Sequence, residues 1–143
     1  MLVNELMKDK VATARISDNL EKALELMKKN KVSSLVVLKK KNVCGIITYI
    51  DIAKSATSLG GLRKIKVKSA MPKKLFSIGP RENIMKATEL MKKEGIRRLP
   101  VIEEGELKGI ITSADLMEHQ NEIFFRAQRI LSLRSNLRDR FSF

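Results

Sequence analysis

The chain has 143 residues, of which 43% are hydrophobic, 31% charged and 4% aromatic, a balance that fits a folded core and excludes a disordered or low-complexity chain. Its 29 Lys and Arg against 16 Asp and Glu give a formal charge of +13, a field that draws phosphate of any kind. A single Cys and a single His exclude an intrachain disulfide and offer no zinc-ligand spacing, and no apolar run approaches the ~18 residues of a membrane span.

The first residues, MLVNELMKDK, lack the basic, apolar and small-residue order of a secretion signal, so a cytoplasmic protein with no membrane contact is expected. A β-prone stretch from Val11 to Ile16 leads into a helix whose apolar face holds Leu20, Ala23, Leu24 and Met27, with Asp18 and Glu21 placed as N-cap and N3 acid. Two apolar runs, SLVVL and VCGIIT, flank the polar turn KKKN and predict a hairpin in which Cys44 is a small buried residue. A second helix starts near Asp51. The unit is β-α-β-β-α.

The segment that follows, SATSLGGLRKIKVKSAMPKK, holds Gly60, Gly61 and Pro72 and marks a boundary. Residues 56–74 carry six basic groups and no acidic one. The same order of elements then returns. Shifted by 64, residues 3–55 align with 67–119 without a gap, and 18 of the 53 positions are identical. Leu75 to Ile78 repeats the β-prone stretch, and Pro80 precedes a helix with Ile84, Ala87 and Met91. LPVI and LKGIIT flank EEGE, and a helix begins near Asp115. This gives a first repeat at 1–58, a connector at 59–66, a second repeat at 67–119 and a tail at 120–143.

The tail places Ile123, Ala127, Ile130, Leu131 and Leu137 near helical spacing with Arg126, Arg129, Arg134, Arg138 and Arg140 between them, and ends in Phe141 and Phe143. It reads as a basic amphipathic helix that packs on the module or on a second subunit. Contact with nucleic acid or a membrane surface is the competing reading.

Each repeat closes on Gly-Ile-Ile-Thr-x-x-Asp, at Gly45–Asp51 and Gly109–Asp115. Thr three residues before Asp at a helix start is the capping-box pattern, and spacing alone favours that. The same joint also suits a nucleotide. Gly lets a flat ring approach the backbone, the helix start and Thr offer donors to phosphate, and an ionised Asp accepts from ribose hydroxyls.

The doubled β-α-β-β-α unit, the closing GIITxxD, the segment GIRRLPVIEEGELKGIITSADL and the helical KALELMKK and KATELMKK together resemble a tandem pair of CBS (cystathionine β-synthase) domains, a Bateman module, over residues 3–119. The resemblance implies an α/β (α+β) fold of two repeats packed with pseudo-twofold symmetry, plus the C-terminal basic helix. It implies a non-catalytic sensor that needs no cofactor and binds AMP, ADP, ATP or another adenosyl ligand in clefts between the repeats. It also implies pairing into a homodimer and a protein partner that responds to occupancy.

By the same resemblance Asp51 and Asp115 hold ribose, Thr48 and Thr112 lie near phosphate, Arg97 and Arg98 reach phosphate, and Ala12 and Phe76 lie against adenine. One cleft would combine Ala12, Arg97, Arg98, Thr112 and Asp115, and the other Phe76, Ser33, Ser34, Thr48 and Asp51. Ser33 and Ser34 stand where the second repeat has its two cations, so the cleft of Asp115 is the one expected to take nucleotide. No P-loop, GxGxxG or nucleophile-and-base set is present, so no enzyme activity is expected. Nucleic-acid binding through the connector and tail is the alternative function.

Overall fold

The computed structural model describes residues 1–57 and 60–141, with side chains as far as residue 133. In chain order its elements are α1 (Val3–Leu6), β1 (Thr13–Arg15), α2 (Leu20–Asn30), β2 (Ser34–Lys39), β3 (Asn42–Thr48) and α3 (Tyr49–Ser55), then α4 (Val67–Ala70), α5 (Ile84–Glu94), β4 (Arg98–Glu103), β5 (Glu106–Thr112) and α6 (Ser113–Phe141). The mixed α+β architecture of two repeats and a C-terminal helix is therefore as expected.

The two hairpins share one register. Leu35 opposes Ile47 and Val37 opposes Gly45 in the first; Leu99 opposes Ile111 and Val101 opposes Gly109 in the second. Each carries the same register shift, after Val37 in the first and after Val101 in the second. Cys44 lies half-buried in β3, its thiol donating to the Val37 carbonyl at 3.3 Å.

The leading strands differ. β1 runs parallel to β2 over three residues, and the Val36 N–H donates to the Ala12 carbonyl at 3.1 Å. In the second repeat the expected stretch Leu75–Ile78 keeps a single bridge, Ile78 to Val101. Pro100 occupies the place of Val36 and has no N–H, so the bond that would extend the ladder towards Phe76 cannot form.

Helix α2 is capped by Asn19, whose side chain accepts from the Lys22 N–H at 2.8 Å, and α5 by the equivalent Asn83, which accepts from Met85. Asp18, the expected cap, instead accepts from the Arg15 N–H at 2.8 Å and tightens the turn before the helix. At the far end of α2 Lys31 adopts the left-handed region, φ 53°, where α5 has Gly95 at φ 64°.

Sequence repeats and spatial cores do not coincide at their edges. Val67 of α4, with Leu62, Ile65, Ala70 and Met71, packs into the core of the first repeat around Leu20, Ala23, Leu35 and Ile47. Val3 of α1, with Leu6 and Met7, packs into the second core around Leu99, Val101 and Ile111. The exchange is fixed by backbone bonds: Val67 N–H to the Asp18 carbonyl and Val3 N–H to the Glu82 carbonyl, both at 2.8 Å. Each leading helix thus completes the other repeat, which ties the two halves into one unit. Val67→Ala should cost roughly 2 kcal/mol, the transfer of two methyl groups plus a cavity. A urea titration with a fluorescent or circular-dichroism readout checks it, and a loss below ~0.5 kcal/mol would contradict the exchange.

The boundary expected at residue 120 is not a break. α6 runs without interruption from Ser113 to Phe141, about 43 Å at 1.5 Å per residue. Leu116 still packs on the second core, but Met117, Ile123, Phe124 and Ile130 are more than half exposed, so the tail does not fold back on its own module. Phe143 and the side chains of Arg134, Leu137, Arg138, Arg140 and Phe141 lie outside the described residues.

Candidate functional site

Both GIIT joints build the same local geometry. β3 and β5 end in Thr, whose hydroxyl accepts from the Asp N–H three residues on, at 3.3 Å in each case. The carboxylate answers with its Oδ2, which accepts from the Thr N–H and the Thr hydroxyl: 2.8 and 3.0 Å for Asp51, 2.9 and 2.9 Å for Asp115. These are reciprocal capping boxes, and they start α3 and α6. Capping occupies one carboxylate oxygen and leaves the other.

The other oxygen separates the two joints. Oδ1 of Asp115 lies 3.5 Å from the Lys8 ammonium, and the Asp115 side chain is 5% exposed. Lys8 is held there by its backbone, which exchanges two bonds with Ile110, both at 2.9 Å. The residue equivalent to Lys8 is Pro72, which has no N–H to donate to Ile46, and among the described residues Asp51 Oδ1 has no hydrogen bond or ion pair. One joint is closed by the N-terminal segment; the other is open.

At the open joint lies a cavity of ≈ 680 Å3 between the repeats. The first repeat contributes Ser33, Ile46, Thr48, Tyr49, Ile50 and Asp51; the second contributes Pro72, Lys74, Leu75 and Phe76 from the segment after α4, and Gly95, Ile96, Arg97 and Arg98 from the turn into β4. Ile46, Leu75 and Phe76 supply apolar lining, and Lys74, Arg97 and Arg98 supply cations. Its size is within the range of small-ligand sites.

The arginine pair falls in the cavity of Asp51, contrary to the grouping expected from sequence. Arg98 does oppose Thr112 through its backbone, but its guanidinium reaches over the axis and donates to the Ser33 hydroxyl at 3.3 Å. β3 and β5 lie side by side at that axis, so the start of β4 borders the end of β3. Burial, followed by the like charge of Arg97, lowers the basicity of Arg98 from its ordinary value, and Asp51 opposes both. Lys74 stands over the Phe76 ring, 5.2 Å from its centre.

Of the residues singled out from sequence, Thr48, Asp51, Phe76, Arg97, Arg98 and Ser33 therefore share one cavity. Thr112 and Asp115 stay together at the closed joint. Ala12 packs against the first core with its carbonyl bonded to Val36, outside that cavity, and Ser34 pairs with Thr48 in the hairpin. Sequence reasoning missed Lys74, Tyr49 and Ile50. A signal existed for the last two: they fill the x-x of the first motif, where the second has the small Ser113 and Ala114, and they are 60% and 64% exposed at the cavity.

Comparison with known proteins places the fold. The CBS domain family model matches residues 3–58 and 67–122. The CBS domain-containing protein YhcV of Bacillus subtilis is 31% identical over 118 residues, covering 82% of this chain and 84% of that protein. A putative signal-transduction protein with CBS domains from Burkholderia ambifaria superposes with a TM-score of 0.75 at 25% identity, over 83% of this chain and 93% of the other. The CBS domain pair of protein MJ0100, solved with 5-methylthioadenosine and S-adenosyl-L-methionine, superposes with a TM-score of 0.77 at 22% identity, over 85% and 97%.

Proposed function

This chain belongs to the CBS domain family, and from that membership we propose that it is a non-catalytic regulatory module that binds one adenosyl ligand, AMP, ADP or ATP, in the cavity of Asp51. The observation that carries this reading is the joint presence, in one cavity, of a carboxylate oxygen left over from capping and a cation pair whose inner member is disfavoured by burial and by its neighbour. Asp51 Oδ1 accepts from the ribose hydroxyls. Ile46, Leu75 and Phe76 take the base, and Tyr49 and Ile50 cover it at the rim.

Arg97, Arg98 and the Thr48 joint take the phosphate, and the added anion relieves the repulsion between the two guanidiniums. That MJ0100 holds two adenosyl compounds lends the ligand class support. Binding at a site built from both repeats favours one arrangement of them over another, which is the physical means by which occupancy passes to a partner. The Asp115 joint, where Lys8 already supplies a cation, takes no second ligand.

Nucleic-acid binding has less to draw on. In the connector Arg63 is bound to Glu21 at 2.6 Å and Lys66 to the Ser17 carbonyl at 3.3 Å, so part of that charge is already used. Thermal melting in the presence of AMP, ADP, ATP and S-adenosylmethionine, with GMP as control, tests the proposal. A ligand at 100 times its dissociation constant adds ~2.7 kcal/mol of stability, several degrees for a chain of this size. An unmoved melting temperature with every adenosyl compound at millimolar concentration refutes it.

A further inference from the structure

Ile46 and Ile110 hold equivalent places in the two closing strands, yet their main chains are used differently. In the second repeat the Ile110 N–H and carbonyl exchange two bonds with Lys8, both at 2.9 Å, which adds an extended segment to the edge of β5. In the first repeat that edge stays bare. Val36 turns its N–H towards Ala12, so Val36 and Ile46 form a non-hydrogen-bonded pair of the hairpin, and the N–H and carbonyl of Ile46 point away from β2. No described residue takes either group, and Ile46 lines the ligand cavity.

Pro72 is the cause. It follows Met71 as Lys8 follows Met7, and both methionines lie over the strand glycine: a methyl group at Gly45 would meet the Met71 sulfur at 2.9 Å, and one at Gly109 the Met7 sulfur at 2.7 Å. At Gly109 the Lys8 carbonyl is just as near, whereas at Gly45 the three nearest atoms all belong to the Met71 side chain, so the Pro72 backbone stands off from β3. A proline has no N–H to offer the Ile46 carbonyl in any case.

We infer that the bare main-chain edge of Ile46 reads the base of the ligand, and that Pro72 is the residue that keeps this edge available. The inference rests on the nucleotide reading given above and adds the part of the ligand that the edge selects. One donor and one acceptor lie side by side there, a pair that Lys8 answers at the closed joint with its own carbonyl and N–H. Adenine answers it with the N1 acceptor and the N6 amino donor.

Hypoxanthine and guanine carry the opposite order, an N1–H donor beside an O6 acceptor, and would set donor against donor and acceptor against acceptor. Turning the base over to correct this would pull the ribose from Asp51. The edge therefore selects a 6-aminopurine over a 6-oxopurine, while the arginine pair and Asp51 serve both alike.

Isothermal titration of the full chain with AMP, IMP and purine riboside 5′-monophosphate tests the assignment. AMP should bind at least ~100-fold more tightly than IMP, which mismatches both groups, and roughly tenfold more tightly than the purine riboside compound, which keeps N1 and lacks only the amino group. Pro72→Lys, which copies the closed joint, should weaken AMP by at least ~10-fold and bring the AMP-to-IMP ratio towards one, because the restored N–H lets residue 72 take the Ile46 edge. A merely structural loss would weaken both ligands and leave their ratio as it was. AMP and IMP binding alike to the wild type would leave the ligand class standing and overturn the base assignment, and a Pro72→Lys variant with the wild-type ratio would overturn the role of Pro72. Binding by none of the three compounds would refute the nucleotide reading itself and this inference with it.

Discussion

Gly109→Ala should destabilise the fold by about 2–4 kcal/mol, whereas Gly45→Ala, the same change at the equivalent position, should stay within about 1 kcal/mol of neutral. Both glycines sit in extended strands opposite a valine, so backbone conformation does not distinguish them. What a methyl group would meet does. At Gly109 it would lie 2.7 Å from the Lys8 carbonyl oxygen and 2.7 Å from the Met7 sulfur; at Gly45 its nearest contact is the Met71 sulfur at 2.9 Å.

A thioether on three rotatable bonds can move aside. The Lys8 carbonyl cannot, because it accepts from the Ile110 N–H while the Lys8 N–H donates to the Ile110 carbonyl. Displacing it breaks both bonds and carries Lys8 away from Asp115. Thermal or urea unfolding of the two variants side by side checks the ratio. Equal losses would mean that the N-terminal segment does not lie across the second joint.

The two glycines also separate what is local in this chain from what is not. The identical GIIT and TxxD segments are local, and so are their consequences: the shared hairpin register and the paired capping boxes follow from alternation and spacing alone. Two further features could have been read from a missing N–H. Pro100 stands where Val36 donates to Ala12, and Pro72 where Lys8 donates to Ile110, and each breaks the bond its counterpart makes.

The cavity's membership was not legible in that way. Arg98 lies in register with Thr112 on the hairpin, and period-two alternation gives the face of its side chain without saying which repeat lies beyond that face. The answer depends on β3 and β5 meeting and on α1 and α4 crossing to the opposite cores, where Val67 bonds to Asp18, 49 residues away, and Val3 to Glu82, 79 away. Internal symmetry hides this, because a cis and a trans arrangement of two near-identical units have the same sequence.

The trans arrangement makes the second strong prediction, on ligand binding. Replacing both Arg97 and Arg98 by Ala should weaken AMP binding by about 100-fold or more, two charge-assisted contacts at ~1.5–3 kcal/mol each less what solvent screening removes at the exposed Arg97. The unliganded fold should scarcely change, since the double variant removes a like-charge contact and gives up one 3.3 Å bond to Ser33.

Asp51→Asn should weaken the same isotherm by roughly tenfold, because an amide keeps an acceptor for the cap but lacks the charge that holds two hydroxyls. Asp115→Asn is the discriminating partner. It should leave affinity within about twofold while lowering the melting temperature, since among the described residues its carboxylate serves only Thr112 and Lys8. Isothermal titration with AMP reads all three. If Asp115→Asn abolished binding and Asp51→Asn did not, the nucleotide would have to displace Lys8 from Ile110 to enter the closed joint, and the open cavity beside Asp51 would lose its assignment.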